Sequence, residues 1–345
     1  MNKILDVKKL KISFHTYAGE VQAVRGVDFH LYEGETLAIV GESGCGKTVT
    51  SKSIMRLLPT PPAEIKEGAE INFNGKNVLN FNAKELKKLR GGEIAMIFQD
   101  PMTSLNPTMK VGDQVAESLI IHRNMSKKEA FEEAVKMLDL VGIPSARKRA
   151  SEYPNQYSGG MRQRAMIAIA LSCRPKVLIA DEPTTALDVT IQAQIMKLIK
   201  ELQIDLGTAV ILVTHDLGVV AGVADRIQVM YAGEIIERGT RREIFYNPQH
   251  PYTWALLRSV PKVDQEIKSS LYSLNGTPPD LLYPPKGCAF ANRCEFCMPI
   301  CKENVPELTV VSDTQTVNCW LQHKKAPKVE KPLGLGGTIH GQENR

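Results

Sequence analysis

The sequence predicts an α/β fold in which a parallel sheet carries a phosphate loop, a helical insertion interrupts it, and a small cysteine-rich unit follows. Three observations lead there. Short β-branched runs alternate with helical-period segments from about residue 5 to residue 260. Gly41-Glu42-Ser43-Gly44-Cys45-Gly46-Lys47-Thr48 stands directly after the apolar run Leu37-Ala38-Ile39-Val40. Beyond Pro261 the periodicity weakens, Pro and Gly accumulate, and five of the seven cysteines crowd between residues 288 and 319.

Taken in order, the early strands are expected at Ile4–Phe14, Val21–Tyr32, Thr36–Val40, Ala69–Phe73 and Ile94–Phe98, where alternating or wholly apolar runs are bounded by turn residues. From about residue 101 to residue 165 the pattern turns helical; in Lys127–Val141 the residues Ala130, Ala134, Met137, Leu138 and Val141 recur at spacings of three and four. This reads as a helical subdomain. Two strands of the fully buried type, Val177–Ala180 and Ala209–Thr214, flank a helical pattern from Val189 to Gln203 and restore the βαβ order. The region 261–322 holds too little apolar sequence for a core without a staple, and its cysteines are the candidate staple. The tail 323–345 is polar and is expected to be disordered; its Gly334-Leu335-Gly336-Gly337 run follows no strand and carries no phosphate-site reading.

The phosphate loop has the G-x-x-x-x-G-K-[ST] spacing in the strand-to-helix context that the motif needs. Its glycines let backbone N–H groups curl around phosphates, the following helix offers its positive end, Lys47 reaches the β- and γ-phosphates, and Thr48 ligates Mg²⁺. Cys45 is a small filler, since such a loop works through backbone groups. Val49 ends the stretch Gly41–Val49 that is expected to bind the nucleotide. Val177-Leu178-Ile179-Ala180-Asp181-Glu182 is an apolar strand ending in two acids. Alternation sends their side chains apart, so Asp181 can anchor Mg²⁺ while Glu182 polarises an attacking water. Tyr157-Ser158-Gly159-Gly160-Met161-Arg162-Gln163-Arg164 is a small-residue turn opening a helix, a second anion site by the same logic. One chain seldom needs two such sites for one nucleotide, so this one is expected to face the nucleotide of another subunit.

The phosphate loop, Gln99 after an apolar strand, Ser158-Gly159-Gly160, Asp181-Glu182, Thr185-Ala186-Leu187-Asp188 and His215 occur together in the order and spacing of ABC-transporter ATPase subunits, which the chain resembles over roughly residues 1–261. The resemblance implies a P-loop NTPase domain over 1–260, with a RecA-like core, an antiparallel β subdomain and a helical subdomain. It implies a head-to-tail dimer that sandwiches two ATP between one subunit's phosphate loop and the other's signature turn. Gln99 then matches the residue that touches Mg²⁺ and reports to the membrane subunits, His215 the histidine contacting the γ-phosphate, and Asp188 a cross-dimer contact. Tyr17 matches the aromatic that stacks on adenine, with Phe14 as the alternative. Without the family, His215 would be a satisfied histidine at a strand end and Tyr17 a packing aromatic.

Gln99-Asp100-Pro101-Met102-Thr103-Ser104-Leu105-Asn106-Pro107, His250-Pro251-Tyr252-Thr253 with Leu256-Leu257, and the cysteine tail resemble the oligopeptide/dipeptide importer branch, closest to its D-type subunits. That branch also imports nickel and other small solutes. The resemblance implies a paralogous ATPase partner, two integral-membrane permease subunits and, indirectly, an extracytoplasmic substrate-binding protein. It places this chain peripherally on the cytoplasmic face of the membrane. The tail reads Cys288-x5-Cys294-x6-Cys301-x17-Cys319, with Cys297 inside the second gap. Four thiolates suit either Zn²⁺ or an iron–sulfur cluster, and spacing alone leaves both open. The resemblance implies a [4Fe–4S] cluster on Cys288, Cys294, Cys301 and Cys319, with Cys297 outside the usual pattern.

Composition sets the outer limits. With 43% hydrophobic and 23% charged residues the chain is of globular type. Its longest clean apolar run, Ala165–Leu171, falls far short of the roughly 18 residues that a membrane-spanning helix needs. The 43 basic residues barely exceed the 38 acidic ones, and no basic stripe with interleaved aromatics is evident, which argues against a nucleic-acid partner. A metal-storage or electron-transfer role would leave the ATP motifs idle.

Overall fold

The computed structural model describes residues 2–100, 104–184, 188–259 and 274–332. The strands that carry the chemistry are short and apolar because they are buried on both faces. These are β3 (Thr36–Val40), β7 (Ile94–Ile97), β8 (Val177–Asp181), β9 (Ala209–Thr214) and β10 (Arg226–Tyr231). They form the parallel run β10-β3-β9-β8-β7 of the larger sheet. Alternation then splits each strand between two cores. Leu37, Ile39, Val177, Ile179, Ile211 and Val213 join the core shared with the antiparallel subdomain. Ala38, Val40, Leu178, Ala180, Val210 and Leu212 join the core shared with the helices.

The antiparallel subdomain is built on β1 (Lys3–Thr16) and β2 (Gly19–Tyr32), with β5 (Glu70–Phe73) and β6 (Lys76–Asn77) completing the path β2-β1-β5-β6. Strand β4 (Ala63–Ile65) also pairs with β1. Both long strands run past the expected ends, so Tyr17 and Ala18 form the hairpin tip. The helical subdomain contains α3 (Val111–Arg123), α4 (Lys127–Leu140) and α5 (Ala146–Ala150), following α1 (Lys47–Ile54) and α2 (Ala83–Leu89) in the chain. Ser126 and Glu129 close a reciprocal cap at the start of α4, and Ala130, Ala134, Met137 and Leu138 are its buried stripe, as the spacing predicted. The signature turn opens α6 (Gly159–Leu171), which packs against α3, α4 and β7.

The C-terminal region does not stand apart on a core of its own. After β10 the chain turns back as antiparallel β11 (Glu234–Thr240), and β13 (Thr316–Asn318) pairs with it through Glu237↔Val317 and Arg238↔Thr316. Strand β12 (Leu308–Val310) completes the edge, so the sheet runs β12-β13-β11-β10-β3-β9-β8-β7. Ala289 and Phe290 belong to the same buried cluster as the helices of the ATP-binding region. The expectation of a disordered tail from residue 323 needs correction. Val329 packs on the core and Lys331 Nζ donates to Asn247 Oδ1 at 2.8 Å, so the chain is held as far as Pro332. Residues 333–345, with the Gly334–Gly337 run, lie outside the described residues, as do Thr185, Ala186 and Leu187. No helix among the described residues is long and apolar enough to cross a membrane.

Candidate functional site

The phosphate loop joins β3 to α1, and two of its glycines are demanded by close approach. A Cβ on Gly41 would lie 2.1 Å from the Met230 carbonyl oxygen. One on Gly46, which has φ +103°, would lie 2.5 Å from the Ala23 carbonyl oxygen. Lys47 is buried, and its Nζ donates to the carbonyls of Gly41 at 2.7 Å and Glu42 at 2.9 Å, so the ammonium is held within the loop's curve. Cys45 is buried as a filler of the β-side core, and burial pushes its thiol up, away from the reactive thiolate. Ser43 and Gly44 form the loop's outer turn, and Val49 packs partly against that same core.

Strand order brings the two distant acids to this loop. Because β3 and β8 both flank β9, Asp181 arrives beside α1, where Thr48 Oγ1 donates to Asp181 Oδ1 at 3.0 Å. Burial raises the Asp181 carboxyl, with the Thr48 hydrogen bond and Lys52 working against that rise. A hydroxyl and a buried carboxylate side by side at a phosphate loop form a hard-oxygen pair suited to Mg²⁺. Glu182 turns the other way at the end of β8, with φ +48° and its N–H bonded to the Val213 carbonyl at 2.8 Å. Its Oε2 accepts from Gln99 Nε2 at 2.9 Å and its Oε1 lies 3.2 Å from Nδ1 of His215, which follows β9. Thr48, Lys52, Gln99 and Asp181 line one cleft with Phe98, Asp100 and Ser104. Lys47, Thr48, Gln99, Asp181, Glu182 and His215 thus converge.

The other expected residues lie elsewhere. Tyr17 is fully exposed at the hairpin tip, whereas Phe14 packs against the β-side core. Ser158 caps α6 by accepting from Met161 N at 3.3 Å, and Gly159 and Gly160 form the helix's first turn. A Cβ on Gly160 would come within 3.3 Å of Ile191. Asp188 caps α7 (Val189–Leu206), its Oδ1 accepting from Ile191 N at 2.9 Å.

Sequence reasoning missed what secures the loop's second residue. Glu42 N donates to the hydroxyl of buried Tyr252 at 2.8 Å. The Glu42 carboxylate takes both arms of the Arg293 guanidinium, at 2.5 and 2.9 Å. The only signal was the His250-Pro251-Tyr252-Thr253 run, noted for its resemblance without a role. No local pattern marks Arg293.

All seven cysteines are unpaired thiols. Cys301 is buried, and Cys288, Cys294, Cys297 and Cys319 are half-buried. Burial pushes Cys288 up to about 11, with Cys301 and Cys297 adding to it. Burial likewise pushes Cys294 and Cys319 up to about 12, and in both cases Cys288 and Cys301 contribute further. The backbone N–H of Cys288 donates to the Cys301 carbonyl at 2.7 Å, which brings those two segments together. Among the described residues, no group of three or more His, Cys, Asp or Glu stands at metal-holding spacing. The donor set has the softness that zinc or an iron–sulfur group requires, and such a group would bind it as thiolates.

Residues 24–185 match the family described as ABC transporter, and residues 236–301 match the oligopeptide/dipeptide transporter C-terminal region. The chain is 59% identical over 344 residues to the oligopeptide transport ATP-binding protein OppD of Bacillus subtilis, covering 100% of this chain and 96% of that one. It is 59% identical over 326 residues to the dipeptide transport ATP-binding protein DppD of the same organism, covering 94% and 97%. Among solved structures, a dimeric ATP-binding cassette in a post-hydrolysis state bound to ADP and Pi superposes with a TM-score of 0.62 at 30% identity, covering 69% of this chain and 99% of that one. With a phosphate loop, a paired strand-end acid set and a cysteine-bearing extension all in place, the chain belongs to the family of ABC-transporter ATP-binding proteins of the oligopeptide and dipeptide branch.

Proposed function

We propose that this chain is the ATP-hydrolysing subunit of a membrane importer for dipeptides and oligopeptides. The observation that carries the reading is the convergence of Thr48 with Asp181, and of Gln99 and His215 with Glu182, on one phosphate loop. Lys47 and the loop's N–H groups hold the phosphates, and Thr48, Asp181 and Gln99 attend Mg²⁺. Glu182 is the general base that orients and deprotonates the attacking water, and His215 holds the γ-phosphate side. Tyr17 stacks on adenine. Ser158, Gly159, Gly160 and Asp188 serve the nucleotide of a paralogous partner subunit in a head-to-tail dimer; the dimeric state of the related cassette supports this.

Closure of that dimer on ATP and its release after hydrolysis drive two membrane permease subunits between states, because ATP binds the closed form better than the open one. The chain sits on the cytoplasmic face of the membrane as a peripheral subunit, and a substrate-binding protein outside the membrane delivers the peptide. Cys288, Cys294, Cys301 and Cys319 hold a [4Fe–4S] cluster, with Zn²⁺ as the alternative occupant. Support for this is the soft donor chemistry of four thiols that form no disulfide.

The test is uptake of labelled dipeptide, longer oligopeptide and Ni²⁺ in cells whose sole copy of the protein carries Lys47→Ala. Loss of peptide uptake alone is the expected result, and loss of Ni²⁺ uptake alone would move the cargo to the metal-importing members of the branch. Survival of all three, with ATP binding verifiably gone, would sink the transport reading. Iron, sulfide and zinc analysis of anaerobically purified protein decides the cysteine centre.

A further inference from the structure

Glu42 places a carboxylate inside a loop whose task is to hold a polyphosphate, and like charges repel there unless one is neutralised. The structure supplies the neutralising group from far along the chain. Arg293 grips the Glu42 carboxylate with both arms, and its own side chain is only 4% exposed. Further bonds fix the guanidinium: Nη1 donates to Tyr231 Oη at 3.2 Å and Nε to the Asn275 carbonyl at 3.1 Å. Arg293 is the last residue of a single helical turn that follows Cys288, whose carbonyl accepts from Ala291 N at 3.0 Å, and Cys294 comes next. Phe290, from the same turn, packs against Tyr231 at 5.3 Å and Tyr252 at 5.4 Å between ring centroids. The Tyr252 hydroxyl in turn accepts from Glu42 N. The five residues between Cys288 and Cys294 therefore reach one phosphate-loop residue twice, its side chain directly through Arg293 and its backbone through the Phe290–Tyr252 contact.

We propose that Arg293 is a positioning residue for nucleotide binding, which neutralises and orients Glu42; this deepens the ATP-binding reading above and rests on it. A merely structural Arg293 would affect melting temperature, whereas a neutralising Arg293 predicts rescue by removing the charge that it neutralises.

The experiment measures Mg-ATP affinity of the full chain by calorimetry, with circular dichroism melting as the control for folding. Arg293→Ala is expected to weaken Mg-ATP binding by about tenfold or more, since it strands a carboxylate beside the phosphates. Adding Glu42→Gln to Arg293→Ala is expected to restore most of the loss. Should Arg293→Ala fail to fold, Arg293→Lys, which keeps the charge and loses the fork, is expected to show the same weakening and rescue in smaller measure. Unchanged affinity in the folded variant, or weakening that Glu42→Gln does not relieve, overturns the positioning role.

Discussion

Glu182 Oε1 stands 3.2 Å from His215 Nδ1 while its backbone sits at φ +48°, a conformation that non-glycine residues seldom adopt. The strand-end turn thus lifts the carboxylate off the sheet and aims it between His215 and Gln99, whose Nε2 donates to the other oxygen at 2.9 Å. Such a position suits a base that must meet a water at the γ-phosphate and does not suit a metal ligand. Glu182→Gln keeps the shape and removes the basicity. It is expected to lower ATP turnover by about 10²- to 10⁴-fold while leaving Mg-ATP affinity within a few-fold of the parent. Turnover by phosphate release and affinity by calorimetry check it, and a variant that hydrolyses normally would remove Glu182 from the base role.

Asp181 carries the complementary prediction. Burial raises its carboxyl, so the folded state holds a proton to a higher pH than the unfolded chain does. The sign follows: as pH rises above the ordinary value of 3.8 the unfolded chain ionises more readily than the folded one, so the buried carboxyl costs stability at neutral pH. Asp181→Asn removes the charge and retains an oxygen for Thr48 Oγ1 to reach. Without nucleotide the variant is expected to melt higher than the parent at pH 7. Added Mg-ATP is expected to raise the parent's melting temperature and to leave the variant's nearly unmoved. A parent that melts above the variant in the absence of ligand would contradict the burial argument.

Those two sites were legible because each rests on a local pattern: a buried strand, a change of direction, and a residue of fixed type at the change. The apolar runs ending at Val40, Ala180 and Thr214 became β3, β8 and β9 within a residue or two, since strands buried on both faces leave little freedom in composition. The Lys127–Leu140 helix was equally plain from its stripe. The clamp on Glu42 was not legible, because Arg293 lies 251 residues away and only the packed topology brings the two together. Nor was the joining of β12 and β13 to the main sheet, for three-residue strands are too short to show a period. The region after Pro261 looked too apolar-poor to hold a core, and it needs none, since Phe290 and Val317 are buried against the rest of the molecule.

Tyr17 offers a test that separates binding from folding. It is fully exposed at the β1–β2 hairpin tip, so truncating it removes no buried area. Tyr17→Ala is expected to leave stability within about 0.5 kcal/mol of the parent. If the ring stacks on adenine, the loss is about 1–3 kcal/mol of binding, or roughly a five- to hundredfold weaker Kd for ATP. Phe14→Ala is expected to do the reverse, lowering stability by opening the β-side core that Phe14 packs against, with a smaller effect on Kd. Chemical denaturation and calorimetry on the two variants give four numbers, and equal ATP affinities for Tyr17→Ala and the parent would discard the stacking role.

His250 ties the C-terminal region to pH. Its Nδ1 accepts from Tyr252 N at 3.0 Å, capping α8 (Pro251–Arg258), so the neutral ring carries its proton on Nε2. Burial pushes the ring down to about 3, from an ordinary value of 6.5. Below pH 6.5 the unfolded chain binds a proton that the folded ring refuses, so stability falls as pH drops from 6.5 toward 3. The slope is at most about 1.4 kcal/mol per pH unit, or roughly 2 kcal/mol between pH 6.5 and pH 5. Glu237 bonds the backbone N–H groups of Gln249 and His250 beside this ring, and burial raises its carboxyl, which works in the opposite direction as pH falls. Both proteins in the comparison keep that opposing contribution. His250→Asn preserves an oxygen acceptor for Tyr252 N and cannot titrate. Urea unfolding at pH 7 and pH 5 is expected to show the parent losing roughly 2 kcal/mol more than the variant. Parallel losses would mean that the imidazole finds a proton acceptor in the folded state, and that it does not destabilise this half of the clamp on Glu42 in acid.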